Sequence, residues 1–309
     1  MADIASPTAA KAADAVVTVA YQATPARPGK TADRATSLNA ARGLNRAAAT
    51  LAASVLADSA IEHYRGSFEN RMMFVPLISS ALNLAVSAHG IVDQRGRSHP
   101  VRNVIYTLAA ATGVAGTGFH LYNIGKREGG LSWINLFFAA PVGAPAALAL
   151  SGMLGFLSER LRDMPLGVAP RLLGLPAGRT VAAITGAGIA GTVGEVGLLH
   201  FRGSFHDPFM VLPVAAPPVA AALIAATALL PKTSPALRRT TRWWLRFTAL
   251  LGFAGAGFHV YGVGRGMRGW RNWSQNLLNG PPIPAPPSFT GLAIAGLAAL
   301  RLLGGDTDD

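Results

Sequence analysis

Apolar residues in this chain do not recur at amphipathic spacing. They lie in blocks of about twenty, each closed by a short basic or Pro-Gly segment. Eight blocks are visible, over about 47–63, 72–92, 103–124, 134–157, 179–200, 209–230, 241–263 and 286–303. The pattern predicts an all-α integral membrane protein with eight transmembrane helices. Before the first block, residues 1–45 are rich in Ala, Thr, Pro and basic side chains without a sustained period, and are expected to be a disordered cytoplasmic tail. The run DAVVTVA at 14–20 is too short for the apolar region of a signal peptide, so insertion is expected to rely on the first membrane helix.

The blocks carry a second pattern, because the motifs that punctuate them occur twice. DSAIEHYRGSF (58–68) returns as EVGLLHFRGSF (195–205), an offset of 137. GVAGTGFHLYNIG (113–125) returns as GFAGAGFHVYGVG (252–264) at offset 139, pairing His120 with His259 and Tyr122 with Tyr261. NLFFAAPVGAP (135–145) returns as NLLNGPPIPAP (276–286) at offset 141. The order is kept and the offset grows by two at each step, as small loop insertions after a duplication would produce. The expected organisation is therefore two tandem four-helix repeats, 46–158 and 179–304, joined by a cytoplasmic linker over 159–178 and followed by a short acidic tail, 305–309. Four spans per repeat is an even number, so both copies enter the membrane in the same direction as parallel repeats.

Composition agrees with the membrane reading: 50% of residues are apolar, 14% are charged, and the mean hydropathy is +0.35. The net charge of +12 is not gathered into a continuous basic face, which argues against a nucleic-acid partner. It works instead as a topology signal. On the expected eight spans, 19 Lys and Arg fall on the side of the termini and 8 on the other, which places both termini in the cytoplasm, in a bacterial inner membrane. The repeated histidines, at the ends of outward-running spans, then lie toward the outer face. Cysteine is absent, which excludes disulfides, thiolate metal sites and a Cys nucleophile.

Candidate chemistry sits in the repeated motifs. His63 with His120, and His200 with His259, are pairs on neighbouring helices at similar depth, the arrangement that bis-histidine haem or another metal requires. The plainer reading is that each imidazole hydrogen-bonds a loop carbonyl and fastens two helix ends together. Asp58 and Glu195 lie deeper in the same spans, where a carboxylate needs a partner or a task, here a proton or cation path. Arg65 and Arg202 are placed to bind a lipid phosphate, a quinone carbonyl or a haem propionate, or to snorkel to the headgroups. In each RGSF the glycine is expected to let the chain reverse. The glycines of the third spans are expected to permit close helix approach. Asn135 and Asn276, with Pro141, Pro145, Pro282 and Pro286, mark the start of each fourth span, either lining a small polar cavity or capping a structured loop. Trp133, Trp270 and Trp273 fit an aromatic belt. A GxGxxG at Gly186, Gly188 and Gly191 lies inside an apolar block with no preceding strand, which argues against a dinucleotide site. His89, His99 and His206 have no repeated counterpart and read as surface or interface residues.

Four-helix modules with paired histidines resemble membrane cytochrome b subunits in general plan. That analogy implies a redox subunit binding b-type haem through His63 with His120 and His200 with His259, with Tyr122 and Tyr261 nearby. It would pass electrons between quinone and a separate periplasmic dehydrogenase or cytochrome. Two other readings stay open: a proton- or cation-coupled transporter using Asp58 and Glu195, and a non-catalytic membrane anchor or assembly protein.

Overall fold

The computed structural model describes residues 34–165, 168–230 and 232–304. Its architecture is all-α apart from one small hairpin. The helices are α1 (Arg34–Arg65), α2 (Val75–Val92), α3 (Pro100–Gly125), the short α4 (Trp133–Phe138), α5 (Gly143–Arg162), α6 (Ala177–Arg202), α7 (Leu212–Ala215), α8 (Pro217–Leu229), α9 (Pro235–Gly264), the short α10 (Trp273–Asn279) and α11 (Pro287–Gly304). Strands β1 (Arg171–Leu172) and β2 (Leu175–Pro176) pair antiparallel between α5 and α6. Prolines open α3, α8, α9 and α11, where their missing amide hydrogen breaks no helical bond. Ser234 caps α9 by accepting from the Leu237 amide.

Six segments are long and apolar enough to cross a membrane: 71–92, 100–125, 177–202, 208–229, 235–264 and 287–304. These mark the chain as an integral membrane protein. Leu108, Leu250 and Phe253 are more than half exposed on them, as a surface facing lipid tails would be. Helices α1 and α5, two of the eight expected spans, do not meet the same measure. Both are enclosed by other helices: α1 packs on α2, α5 and α11, and α5 packs on α1 and α3. An enclosed helix has little need of a lipid-compatible surface, and these two carry charged and hydroxylic residues instead.

Helices α1, α5, α6 and α11 supply most of the main core, through Leu44, Leu51, Leu154, Val181, Ile189 and Leu292. Along α1 and α11, Gly43 faces Ala298 while Ser54 faces Ser288, so these helices run antiparallel. Gly178 faces Leu303 and Gly188 faces Leu292, so α6 and α11 are antiparallel too. Helices α1 and α6 therefore point the same way, and His63, His120, His200 and His259 all lie at one end of the bundle.

Two expected boundaries move. Helix α1 begins at Arg34, inside the segment expected to be disordered up to residue 45, because Ala40, Ala41 and Leu44 are fully buried in the core. Helix α5 runs on to Arg162, past the expected boundary at 158, and the linker over 159–178 contains the hairpin. The first 33 residues and the acidic tail 305–309 fall outside the described residues.

The reason for the longer α5 is a buried ionic cluster at the end opposite the four histidines. Arg102 on α3 donates to Asp93 Oδ2 at 2.7 Å and to Glu159 Oε2 at 2.9 Å. Arg162 lies 3.4 Å from Glu159 Oε1 and donates to the carbonyls of Gly90, Asp93 and Arg95 and to Asn45 Oδ1. Arg102, Glu159 and Arg162 are each at most 3% exposed. Burial alone would raise the Asp93 carboxyl, but the Arg95 side chain and amide, with Arg102, hold it well below the usual carboxylate range. Removing one partner from such a cluster strands the others. Glu159→Gln should therefore cost about 3–5 kcal/mol and sharply lower the melting temperature in detergent. Arg160→Gln, whose half-exposed pairing with Asp163 spans 3.8 Å, should leave the melting temperature nearly unchanged.

Candidate functional site at the histidine end

Each histidine motif is built on a helix terminus of the same geometry. At the end of α1 the Phe68 amide donates to the His63 carbonyl at 3.0 Å and the Ser67 amide to the Tyr64 carbonyl at 2.9 Å, the double bond of a Schellman turn. At the end of α6, Phe205 donates to His200 and Ser204 to Phe201 at 3.1 and 2.8 Å. The residues with positive φ are Ser67 (54°) and Phe68 (48°), with Ser204 (58°) and Phe205 (44°). Gly66 and Gly203 do not take the left-handed conformation expected of them. Their role is close approach: a Cβ at either would press on the Cε of Met73 or Met210, 3.1 Å away.

Those methionines belong to the segments that receive the histidines. His63 Nδ1 lies 2.6 Å from the Met73 carbonyl and His200 Nδ1 lies 2.7 Å from the Met210 carbonyl. In the same way, His120 Nδ1 lies 2.6 Å from the Pro141 carbonyl and His259 Nδ1 lies 2.7 Å from the Pro282 carbonyl. A carbonyl only accepts, so all four rings carry their proton on Nδ1. In a neutral ring this leaves the Nε2 lone pair free, and no hydrogen bond engages Nε2 among the described residues. His63 is within electrostatic reach of His120, and His200 of His259. The carbonyl tethers are the fastening role expected of a plain structural histidine. They are also how metal-binding imidazoles are oriented, with Nδ1–H on a backbone carbonyl. Among the described residues, no group of three or more His, Cys, Asp or Glu converges on one point.

The two carboxylates meet across the chain's halves. Asp58 on α1 is within electrostatic reach of Glu195 on α6. Glu195 Oε1 accepts the Gly143 amide at 2.8 Å, so a carboxylate from α6 caps the start of α5. Gly143 is obligatory there, since a Cβ would overlap the carboxylate. At the same offset, the start of α11 is met differently: Ser54 of α1 donates to the Pro284 carbonyl and faces the Ser288 hydroxyl.

Other residues singled out in the sequence take separate places. Arg65 pairs with Glu62 at 2.6 Å, one turn back on its own helix, whereas Arg202 crosses to the Phe137 carbonyl at 3.1 Å. Tyr122 and Tyr261 are exposed on the outside of the bundle, beneath Lys126 and Arg265, so they do not join the histidine pairs. Asn135 ties down the carbonyls of Glu128 and Gly130, and Asn276 those of Met267 and Gly269, which is the loop-capping role. Trp133, Trp270 and Trp273 are more than half exposed at this end. Gly113 and Gly252 allow close contact, because a Cβ would overlap the Ala149 backbone or Thr290 respectively. Gly186, Gly188 and Gly191 lie within α6 with no strand leading into them at a nucleotide turn. Sequence reasoning missed the ionic cluster. It also missed His89 and His99, whose rings meet edge to face at 5.8 Å, with Arg102 Nη1 3.3 Å from His89 Nδ1. Their unrepeated occurrence was the available signal. The chain matches no known family model, no curated protein and no solved structure.

The Schellman turns give a direct test of whether the left-handed serines are simply strained. Ser67→Gly and Ser204→Gly should each stabilise by about 1 kcal/mol, read as a raised melting temperature, because glycine adopts that conformation without steric cost.

Proposed function

We propose that this protein is a membrane redox subunit of eight spans, arranged as two tandem parallel four-helix repeats with both termini cytoplasmic in a bacterial inner membrane. It binds b-type haem, or another metal, through His63 with His120 and His200 with His259, and passes electrons between a periplasmic protein and quinone. The observation that carries the reading is the shared tautomer: four imidazoles, each tied by Nδ1–H to a backbone carbonyl, each with a free Nε2, grouped in two pairs at one end of the bundle. Matching helix contacts support the repeats. Helix α1 packs on α2 and α5 as α6 packs on α8 and α11, and α3 packs on α5 as α9 packs on α11. Haem supplies one-electron chemistry when bound; the chain's part is to fix ring orientation through the tethers and to leave Nε2 unprotonated. The purified protein should show a reduced b-type absorption band with iron present. His120→Ala and His259→Ala should each remove about half of that absorbance, on the stoichiometry of bis-histidine ligation. A colourless, iron-free protein would end the haem proposal.

A second reading, cation- or proton-coupled transport, draws on the approach of Asp58 to Glu195 between the halves. Parallel repeats that frame a central path suit that role. Combining Asp58→Asn with Glu195→Gln should then abolish proton and monovalent-cation flux in proteoliposomes, whereas unchanged flux would remove the transport reading.

A further inference from the structure

The interior of the bundle formed by α1, α2, α3 and α5 is polar over much of its depth. Ser80, Asn83, Ser87 and Gly90 lie on one face of α2, at intervals of three and four residues, and all are buried. The span from Ser80 to Gly90 is about 15 Å, roughly half the thickness of a bilayer's hydrocarbon core. Facing it, Asn45 Nδ2 donates to Tyr106 Oη at 2.9 Å and to Ser158 Oγ at 2.6 Å. Asn83 Nδ2 donates to Ser151 Oγ at 2.8 Å, and Ser151 passes its proton donor on to the Ala48 carbonyl at 2.7 Å. The Ser87 hydroxyl adjoins Tyr106. Toward the end opposite the histidines the lane meets Glu159, 3.5 Å from Ser158 Oγ, and then Arg162, Arg102 and Asp93.

The equivalent interior of the other half is built differently. At offset 137, Asn45, Asn83 and Ser87 become Ala182, Ala220 and Ile224; at offset 139, Tyr106 becomes Leu245; at offset 141, Ser151, Ser158 and Glu159 become Leu292, Ala299 and Leu300. These are buried as well, so the positions match in environment and differ in chemistry. Thr227 and Thr241, also in that interior, bond back to carbonyls of their own helices. The polar set is thus a property of one half, not a general requirement of the packing.

Packing alone leaves this lane incomplete. Asn83 is fully buried, yet its Oδ1 has no hydrogen-bond partner, an arrangement that calls for a water molecule in a polar interior. Asn83 and Ser87 are one helical turn apart, a gap that a single water bridges between two hydrogen-bonding groups. Nearer the histidines, Val55, Ala109 and Leu148 close the lane with an apolar layer, beyond which lies Asp58. Apolar constrictions of this kind gate by excluding water.

We infer that the first half holds a hydrated proton half-channel, running from Glu159 through Asn45, Tyr106, Ser87 and Asn83 to the Val55–Leu148 layer, and that the second half has none. Each hop moves one proton along existing hydrogen bonds and returns the lane to its starting state, with no redox partner needed. The inference does not depend on haem, since absorbance reports one property and proton flux the other.

The test uses the full chain in proteoliposomes containing pyranine, with a potassium gradient and valinomycin to impose a voltage. Wild-type vesicles should change internal pH faster than protein-free vesicles. Asn83→Ala and Ser87→Ala should lose that excess while retaining wild-type elution on size exclusion. Thr227→Ala, in the other half, should keep it. Should Asn83→Ala fail to fold, Ser87→Ala, which removes a single hydroxyl, carries the comparison. Wild-type flux no faster than protein-free vesicles, wild-type flux in a folded lane variant, or an equal loss in Thr227→Ala would each overturn the inference.

Discussion

Close approach between α3 and α5, and between α9 and α11, is the constraint on which the histidine end depends. Gly113, Gly116 and His120 lie at intervals of three and four on one face of α3, and Gly252, Gly255 and His259 do the same on α9. The glycines let the partner helix come within contact distance, with Pro145 and Pro286 against Gly116 and Gly255. Only because the helices meet there can the imidazole on the same face reach the Pro141 or Pro282 carbonyl just ahead of the partner helix. Lipid tails offer helices no apolar advantage over one another, so packing of small residues and hydrogen bonds between helices must hold such a contact.

The two ends of the molecule solve the problem of buried polarity in opposite ways. At the histidine end, the two halves repeat one construction, with a left-handed Ser-Phe turn and a tethered imidazole. Each imidazole engages one ring nitrogen, leaving the other for a ligand. At the opposite end, the first half gathers Arg102, Glu159, Arg162 and Asp93 into a closed ionic cluster, while the second half fills the same space with Thr241, Leu300 and Leu303. Replacement of a buried ion pair by apolar residues often costs no stability, so the retention of charge in one half is not required by folding energetics. It is consistent with a polar interior that serves conduction there.

The join between the halves is also unequal. Glu195 caps α5 through the Gly143 amide, whereas the start of α11 is met by Ser54. Duplication supplied the frame, and later substitution placed a carboxylate against a helix amino terminus on one side and a hydroxyl on the other. Asp58 and Glu195 retain acidic character where the halves meet, at a position that bears on both proposed functions.

Block length and hydropathy, with the repeated His, Arg-Gly-Ser-Phe and Asn-Pro motifs, determined a helical membrane chain and the identity of its paired residues. These are local properties, written in periodicity and spacing. Tertiary structure alone decided which ring nitrogen each histidine uses, because the accepting carbonyls of Met73, Pro141, Met210 and Pro282 lie in other segments. It alone turned Tyr122 and Tyr261 outward and began α1 at Arg34, where burial of Ala40 and Leu44 overrides a composition that reads as a tail. It also drew Arg102 and Arg162, which read as loop and linker charges, into the interior, since a charge's partner is set by how helices pack and not by its neighbours along the chain.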